Sequence, residues 1–272
     1  MSRPKRSLGQ NFLVDPNLQR KIVDAVEPGP SDTVVEIGPG RGALTDHLVE
    51  RAGRVVAVEK DHELAAALAA RYGGRPAVEI VQGDALEVEP EALGIDPAAT
   101  KVVGNLPYNI TTPLLFRLLE PAWRPRLLVV MIQREVAERI QAEPGGKEYG
   151  ALSVGIRAVA RVEWLFDVGR GAFRPVPNVD SAVIRITPMV PPPLTPAEER
   201  DLRDLTRAVF GQRRKQLQKV LRTAPGYGLS PAQAEALEAE LGVDLTRRPE
   251  ELDPLALVRM SRALRRLGRP RS

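Results

Sequence analysis

Five short runs of aliphatic and β-branched residues punctuate the first half of the chain. They are Thr33–Ile37 (TVVEI), Arg54–Val58 (RVVAV), Val78–Val81 (VEIV), Lys101–Val103 (KVV) and Leu127–Ile132 (LLVVMI), and each predicts a strand. Between or before them, Asp15–Val26, Ala43–Arg51, His62–Arg71 and Pro113–Leu119 carry apolar residues at helical spacing. Val- and Ile-rich strands separated by helices predict parallel βαβ units, because crossover helices cover both sheet faces and leave little room for polar alternation. Arg157–Phe166 and Ser181–Thr187 predict two later strands that close the sheet as an antiparallel pair.

The pattern changes at Thr187–Pro196 (TPMVPPPLTP), where five prolines exclude a helix interior or a central strand and predict a semi-rigid linker. Beyond it strand signals stop. Pro196–Val209, Gln212–Leu221, Pro231–Leu241 and Pro254–Leu267 predict helices; in the last, Leu257, Leu264 and Leu267 share one face while Arg259, Arg262, Arg266 and Arg269 line another. The expected organisation is therefore an α/β domain over residues 1–187, a linker over 188–196 and a small all-helical domain over 197–272.

Composition narrows the chemistry. The 272 residues contain no Cys, which excludes disulfides, thiolate catalysis and Cys-ligated metals, and the only His are His47 and His62, so no metal site is expected. No apolar run approaches the ~20 residues that span a bilayer, and the basic N-terminus lacks the apolar core of a secretory signal. A soluble, cytoplasmic protein is expected. Charge is unevenly spread: residues 190–272 hold 16 basic and 11 acidic side chains, against 23 and 24 over residues 1–189. Leu205–Ala234 carries six cations and no acid. A positive end on a near-neutral body suits nucleic-acid binding, or else is a solvated helix face.

Candidate residues fall after successive strands. Glu36–Thr45 (EIGPGRGALT) places Gly38, Gly40 and Gly42 directly after the first strand, where glycine lets the backbone turn tightly and approach a ligand. The dinucleotide fingerprint would need Gly at position 43, which is Ala43, so the spacing differs from that of nicotinamide-dependent dehydrogenases. Glu59 ends the second strand and its carboxylate can accept both hydroxyls of a ribose. Asp84, after the third strand, either accepts from an adenine amino group or caps the following turn. Together the three describe an adenosine-shaped cleft at the carboxyl edge of the sheet. Asn105-Leu106-Pro107-Tyr108 follows the fourth strand. An adenine amino nitrogen is a poor nucleophile because its lone pair is delocalised; carbonyl acceptors held by Asn105 and Pro107 favour a pyramidal nitrogen, and Tyr108 can stack on a flipped base. The bland alternative is a Pro-containing turn with a core Tyr. Phe173–Ser181 (FRPVPNVDS) offers either a second stacking face through Phe173 or a rigid loop into the final strand.

With these residues in hand, the chain resembles the ribosomal RNA adenine N6,N6-dimethyltransferase family, and most closely its small-subunit branch. The resemblance runs the full length, through Leu8–Leu13 (LGQNFL), EIGPGRGALT, Glu59, Gly83-Asp84-Ala85, NLPY, FRPVPNVDS and Phe210–Leu217 (FGQRRKQL). It implies a Rossmann-like class I methyltransferase domain with a mostly parallel seven-stranded sheet, followed by a helical RNA-docking domain. It implies S-adenosyl-L-methionine as cofactor, closed over by Gln10, Asn11 and Leu13, lying on Gly38 and Gly40, with Glu59 at its ribose, Asp84 and Ala85 at its adenine, and Lys60 also among the cofactor-binding residues. Asn105, Leu106, Pro107 and Tyr108 would hold the target base, with Phe173 stacked against it and Asn105 also touching the cofactor. The implied substrate is two adjacent adenosines near the 3′ end of small-subunit rRNA within the 30S subunit, and the protein is expected as a monomer without membrane attachment. Arg213, Arg214, Lys215, Lys219 and Arg222 are the candidate RNA-backbone contacts. The alternatives are a large-subunit rRNA adenine methyltransferase of the antibiotic-resistance type, and a ribosome-assembly factor whose chemistry is dispensable.

Overall fold

The computed structural model describes residues 10–267, so Leu8, Gly9 and Arg269 lie outside the described residues. The chain divides into two compact units. The first comprises residues 1–137 and 161–188, the second residues 138–160 and 189–272.

The first unit opens with β1 (Phe12–Leu13) and α1 (Pro16–Val26). Asp15 caps α1 by accepting from the N–H groups of Asn17 and Leu18, Pro16 sits where no intrahelical N–H is needed, and Glu27 ends the helix with a left-handed φ of 52°. There follow β2 (Thr33–Ile37), α2 (Thr45–Leu48), β3 (Arg54–Glu59), α3 (His62–Tyr72), β4 (Val78–Gln82), β5 (Thr100–Asn105), α4 (Thr111–Leu119) and β6 (Leu127–Gln133). The helix α5 (Arg134–Gln141) begins in this unit and runs into the second, which continues with α6 (Ala151–Arg157). The chain then returns to the first unit through β7 (Ala160–Val168), β8 (Phe173–Arg174) and β9 (Ser181–Pro188).

Seven strands form one sheet in the order β4-β3-β2-β5-β6-β9-β7, with β1 and β8 as a separate antiparallel pair. The first five strands are mutually parallel and β9 runs antiparallel to β6. The five aliphatic runs thus form the strands expected of them; four are apolar at nearly every position because both sheet faces are covered, while β4, at the edge, stays partly exposed. Ile22, Val23 and Val26 of α1 join Val34, Val55, Val103, Val129, Met131, Phe173 and Val183 in one core cluster.

Three expectations are corrected. The helix expected at Ala43–Arg51 is only the four residues of α2, because Gly38, Gly40 and Gly42 hold φ of 66°, 58° and 85° and keep the chain in turns up to Thr45. Residues 138–160 lie in the second unit, so the α/β domain is discontinuous rather than a single stretch of 1–187; α6 packs on α7 (Pro196–Gly211) and α10 (Pro254–Arg266). The semi-rigid linker expected over 188–196 is, from Met189 on, part of the second unit: the Met189 N–H donates to the Val159 carbonyl at 2.9 Å and Leu194 is buried.

The second unit is completed by α8 (Leu217–Thr223) and α9 (Pro231–Leu241), which lie in sequence between α7 and α10. α8 starts five residues later than the periodicity predicts. The Leu217 and Gln218 N–H groups bond the carbonyls of Arg247 and Leu245 at 2.9 Å, which fixes the first turn there. Among the described residues no helix is long and apolar enough to cross a membrane.

Candidate active site

The carboxyl ends of β2, β3, β4 and β5 converge on one cavity of about 440 Å³ in the first unit. Strand register brings them together. Ile37 lies opposite Val58 on one side and Gly104 on the other, so Gly38 sits between Glu59 and Asn105; Glu59 in turn pairs with Gln82, just before Asp84. Gln10, Asn11, Leu13, Gly38, Gly40, Glu59, Lys60, Asp84, Ala85, Asn105, Leu106, Pro107 and Tyr108 all line this cavity.

The glycines are required by geometry. A side chain at Gly40 would start 3.1 Å from the Phe12 ring, and the left-handed φ of both Gly38 and Gly40 disfavours any residue with a Cβ. Glu59 is 6% exposed; its two oxygens accept the N–H groups of Gly40 at 2.9 Å and Asp61 at 2.8 Å. Burial raises its carboxyl above the ordinary range despite these donors. Asp84 does cap its turn, accepting from the Leu86 N–H at 3.0 Å, and its other oxygen pairs with Lys60 at 2.5 Å. Burial works to raise Asp84, but the Lys60 ammonium and the Leu86 N–H outweigh it and hold the carboxyl low.

The N-terminal segment crosses this opening. Gln10 donates to Asp61 at 3.0 Å, and the Asn11 carbonyl accepts the Asn105 Nδ2 at 2.9 Å. Because only the amide nitrogen can donate to a carbonyl, this bond sets which end of the Asn105 side chain is Oδ1. The Tyr108 hydroxyl lies 2.7 Å from the Ser181 Oγ, and burial raises its pKa.

Phe173 is a correction. It is fully buried within the core cluster beside Leu13 and is not among the residues that line the cavity, which places it between β1 and β8 rather than at the opening. Alternation along a two-residue strand explains it: Phe173 points inward and Arg174 outward.

Glu36 also lines the cavity, although the sequence pattern assigned it no role. It is 1% exposed and accepts the Thr45 hydroxyl at 2.7 Å. Burial pushes its carboxyl up to about 8, against the Thr45 hydrogen bond and with some repulsion from Glu59 and Asp46. A charged residue inside the run TVVEI was the available signal, since an acid amid β-branched core residues needs a reason. Phe12 was missed as well; the Arg41 guanidinium lies 4.5 Å from its ring centroid at the same opening.

The basic candidates lie in the second unit and divide. Arg214, Lys215, Lys219 and Arg222 are exposed. Arg213 is a correction, because its guanidinium is spent inside the unit: it pairs with Glu250 and donates to the carbonyls of Lys147 and, at 2.7 Å, Gly146. Nearby, Tyr149 and Phe210 meet edge to face with centroids 5.8 Å apart.

Residues 1–264 match the family described as Ribosomal RNA adenine dimethylase. The Ribosomal RNA small subunit methyltransferase A of Aromatoleum aromaticum is 48% identical over 235 residues, covering 84% of this chain and 87% of that one. The protein of the same name from Moorella thermoacetica is 44% identical over 269 residues, covering 96% and 92%. Among solved structures, a dimethyladenosine transferase from Plasmodium falciparum superposes with a TM-score of 0.78 at 24% identity over 95% of this chain and 98% of the other. The 23S rRNA methyltransferase ErmE gives 0.68 at 29% identity over 94% and 100%.

Proposed function

The chain belongs to the ribosomal RNA adenine dimethylase family, and from that premise we propose that its cavity brings S-adenosylmethionine together with an adenine of small-subunit rRNA. The activity is S-adenosylmethionine-dependent dimethylation of rRNA adenine at N6. The proposed target is a pair of adjacent adenosines near the 3′ end of the small-subunit rRNA, reached in the 30S subunit by a cytoplasmic monomer.

The observation that carries this reading is the orientation of the Asn105 amide. With Nδ2 held by the Asn11 carbonyl, Oδ1 is the end left to accept from a substrate amino group. Asn105 and the carbonyl edge of Leu106-Pro107 then draw on both amino hydrogens of the base, which localises the nitrogen lone pair. Tyr108, braced by Ser181, supplies a ring against the base face. The cofactor fits the residues present: Gly38 and Gly40 form a cradle that a Cβ would fill, and Glu59 presents a buried carboxylate at the end of β3. When bound, S-adenosylmethionine supplies a methyl group made electrophilic by the neighbouring sulfonium. Glu59 with Lys60 would hold the ribose, Asp84 and Ala85 the adenine, and Gln10, Asn11 and Leu13 the open side. No strong base is needed, because the amino proton is shed after the new bond has made the nitrogen acidic. Arg214, Lys215, Lys219 and Arg222 are proposed to grip RNA phosphates.

The test incubates methyl-labelled S-adenosylmethionine with small ribosomal subunits from a strain lacking the modification. Labelled N6,N6-dimethyladenosine in the 3′ region of the RNA is the expected result. Label on large-subunit RNA alone would overturn the substrate assignment, and tight subunit binding without label would overturn the enzymatic one.

A further inference from the structure

The exposed large hydrophobic side chains among the described residues of the first unit are three valines: Val14 (44% exposed), Val176 (51%) and Val179 (43%). They are distant in sequence, yet the fold brings their segments to one corner. Phe12 pairs with Arg174 and Leu13 with Phe173, and the Val14 N–H donates to the Ala172 carbonyl at 2.8 Å. From Arg174 the chain passes through Val176 and Val179 to Ser181, whose Oγ meets the Tyr108 hydroxyl. The loop therefore begins beside Val14, which lines the cavity, and ends at Tyr108, which also lines it.

The loop is held firmly. Asp180 accepts the Arg170 N–H on its carboxylate at 2.9 Å and the Arg134 N–H on its carbonyl at 3.0 Å, and Pro177 is buried. Two exposed arginines flank its start: Arg41 over the Phe12 ring, and Arg174, paired with Phe12 in the β1–β8 register, whose Nη1 donates to the carbonyls of Gly171 and Phe173. An apolar rim bordered by cations, on a loop that starts beside one cavity-lining residue and ends beside another, suits contact with unstacked RNA.

We infer that Val14, Val176 and Val179 form a subsite for the nucleobase next to the target adenine. This rests on the proposed function. Extruding one nucleotide uncovers a face of its neighbour, and water then contacts an aromatic surface that was stacked. An apolar rim covers that face without reading its hydrogen-bonding edge, while Arg41 and Arg174 lie where phosphates on either side would pass. The loop thus contacts substrate through its exposed valines, and the buried Phe173 supports it from within.

The test compares wild type with a Val176→Asp/Val179→Asp double variant and a Val176→Leu/Val179→Leu double variant on unmodified small subunits. The Asp variant is expected to raise the KM for subunits roughly tenfold, with the Kd for S-adenosylmethionine and the thermal midpoint unchanged, and the Leu variant, which keeps the rim apolar, to raise it far less. Subunits reconstituted with RNA carrying an abasic residue beside the target adenosine identify the occupant. If that base is the occupant, the abasic and Asp effects combine to less than their product. An unchanged KM in the Asp variant, an equal loss of cofactor affinity, or fully multiplicative effects would each overturn the subsite. A wild-type enzyme that leaves unmodified subunits unlabelled overturns the proposed function itself, and the two failures are told apart by that control.

Discussion

Asn105 and Asn11, 94 positions apart in sequence, are joined by a 2.9 Å hydrogen bond from the side-chain amide of one to the backbone carbonyl of the other. The bond links the end of β5 to the segment that crosses the cavity, and it settles the orientation of the amide. A side chain whose main work is to present Oδ1 to a substrate amino group acts more strongly on the chemical step than on cofactor affinity. Asn105→Ala is therefore expected to lower the single-turnover rate by roughly 10²–10³-fold, the scale of removing one preorganised polar group at a reacting centre. Cofactor Kd, measured by calorimetry, should move by only a few-fold. Equal losses in rate and affinity would reduce Asn105 to a brace for the turn.

Glu36 sets a pH dependence whose sign runs against that of a paired carboxylate. Burial raises its folded-state pKa to about 8 from 4.5. Between those values the folded chain holds a proton that the unfolded chain releases, so this group makes stability fall as pH rises from 4.5 and reach its full penalty above 8. Glu59 is shifted in the same direction. Asp32 acts oppositely: its hydrogen bond to Lys101 outweighs burial and holds the carboxyl low, so its contribution is lost only on acidification. Urea denaturation followed from about pH 6 to 9 should show a decline that Glu36→Gln flattens, on the order of a few kcal/mol across the range. Gln keeps an acceptor for the Thr45 hydroxyl but cannot ionise. A parallel decline in the variant would locate the titration elsewhere.

Much of the fold could be read from the chain because its strands are covered on both faces. Runs such as LLVVMI admit few other arrangements: Thr33–Ile37 is observed unchanged and the other four early strands extend the expected runs by one or two residues at an end, whereas the strand expected at Arg157–Phe166 runs from Ala160 to Val168 because Arg157 ends α6. The register of those strands then brings Gly38, Glu59, Asp84 and Asn105 together without further information. What could not be read depends on contacts between distant segments. Nothing local marks residues 138–160 as belonging with the helices that follow Pro188, since that grouping arises from packing of α6 on α7 and α10. The inward turn of Phe173 is equally non-local, being set by the pairing of β8 with β1. Arg213 reads as one cation of a basic run until Glu250 and two carbonyls from residues 146 and 147 are seen around it.

Phe173 gives a direct test of that distinction. As a fully buried ring in the core it should cost roughly 3–5 kcal/mol of stability when truncated to Ala, through reduced burial and the cavity left behind. Phe173→Leu fills most of the volume and should retain near-wild-type turnover at a temperature where both proteins are folded. A ring that stacked on the target base would show the reverse: little change in denaturation midpoint and a large loss of turnover in the Leu variant. Chemical denaturation together with single-turnover kinetics separates the two.

The basic segment around the start of α8 contains cations of two kinds, and salt dependence tells them apart. Arg214, Lys215, Lys219 and Arg222 are exposed, so each phosphate they neutralise should release condensed counterions. Replacing all four with Gln is expected to flatten the plot of log affinity against log salt by ~0.7–0.9 for each phosphate no longer neutralised, with the protein's own stability nearly unchanged. Arg213 should behave differently, because its donors already face Glu250 and the carbonyls of Gly146 and Lys147. Arg213→Gln leaves a partly buried carboxylate and two carbonyls short of partners. We expect it to lower stability by roughly 1–3 kcal/mol while leaving the salt slope of subunit binding where it was. Filter binding to unmodified small subunits over a salt series, with denaturation of the same variants, measures both quantities. A slope that falls for Arg213→Gln at unchanged stability would return Arg213 to the RNA surface, and a slope unmoved by the fourfold replacement would leave those four cations as a solvated helix face.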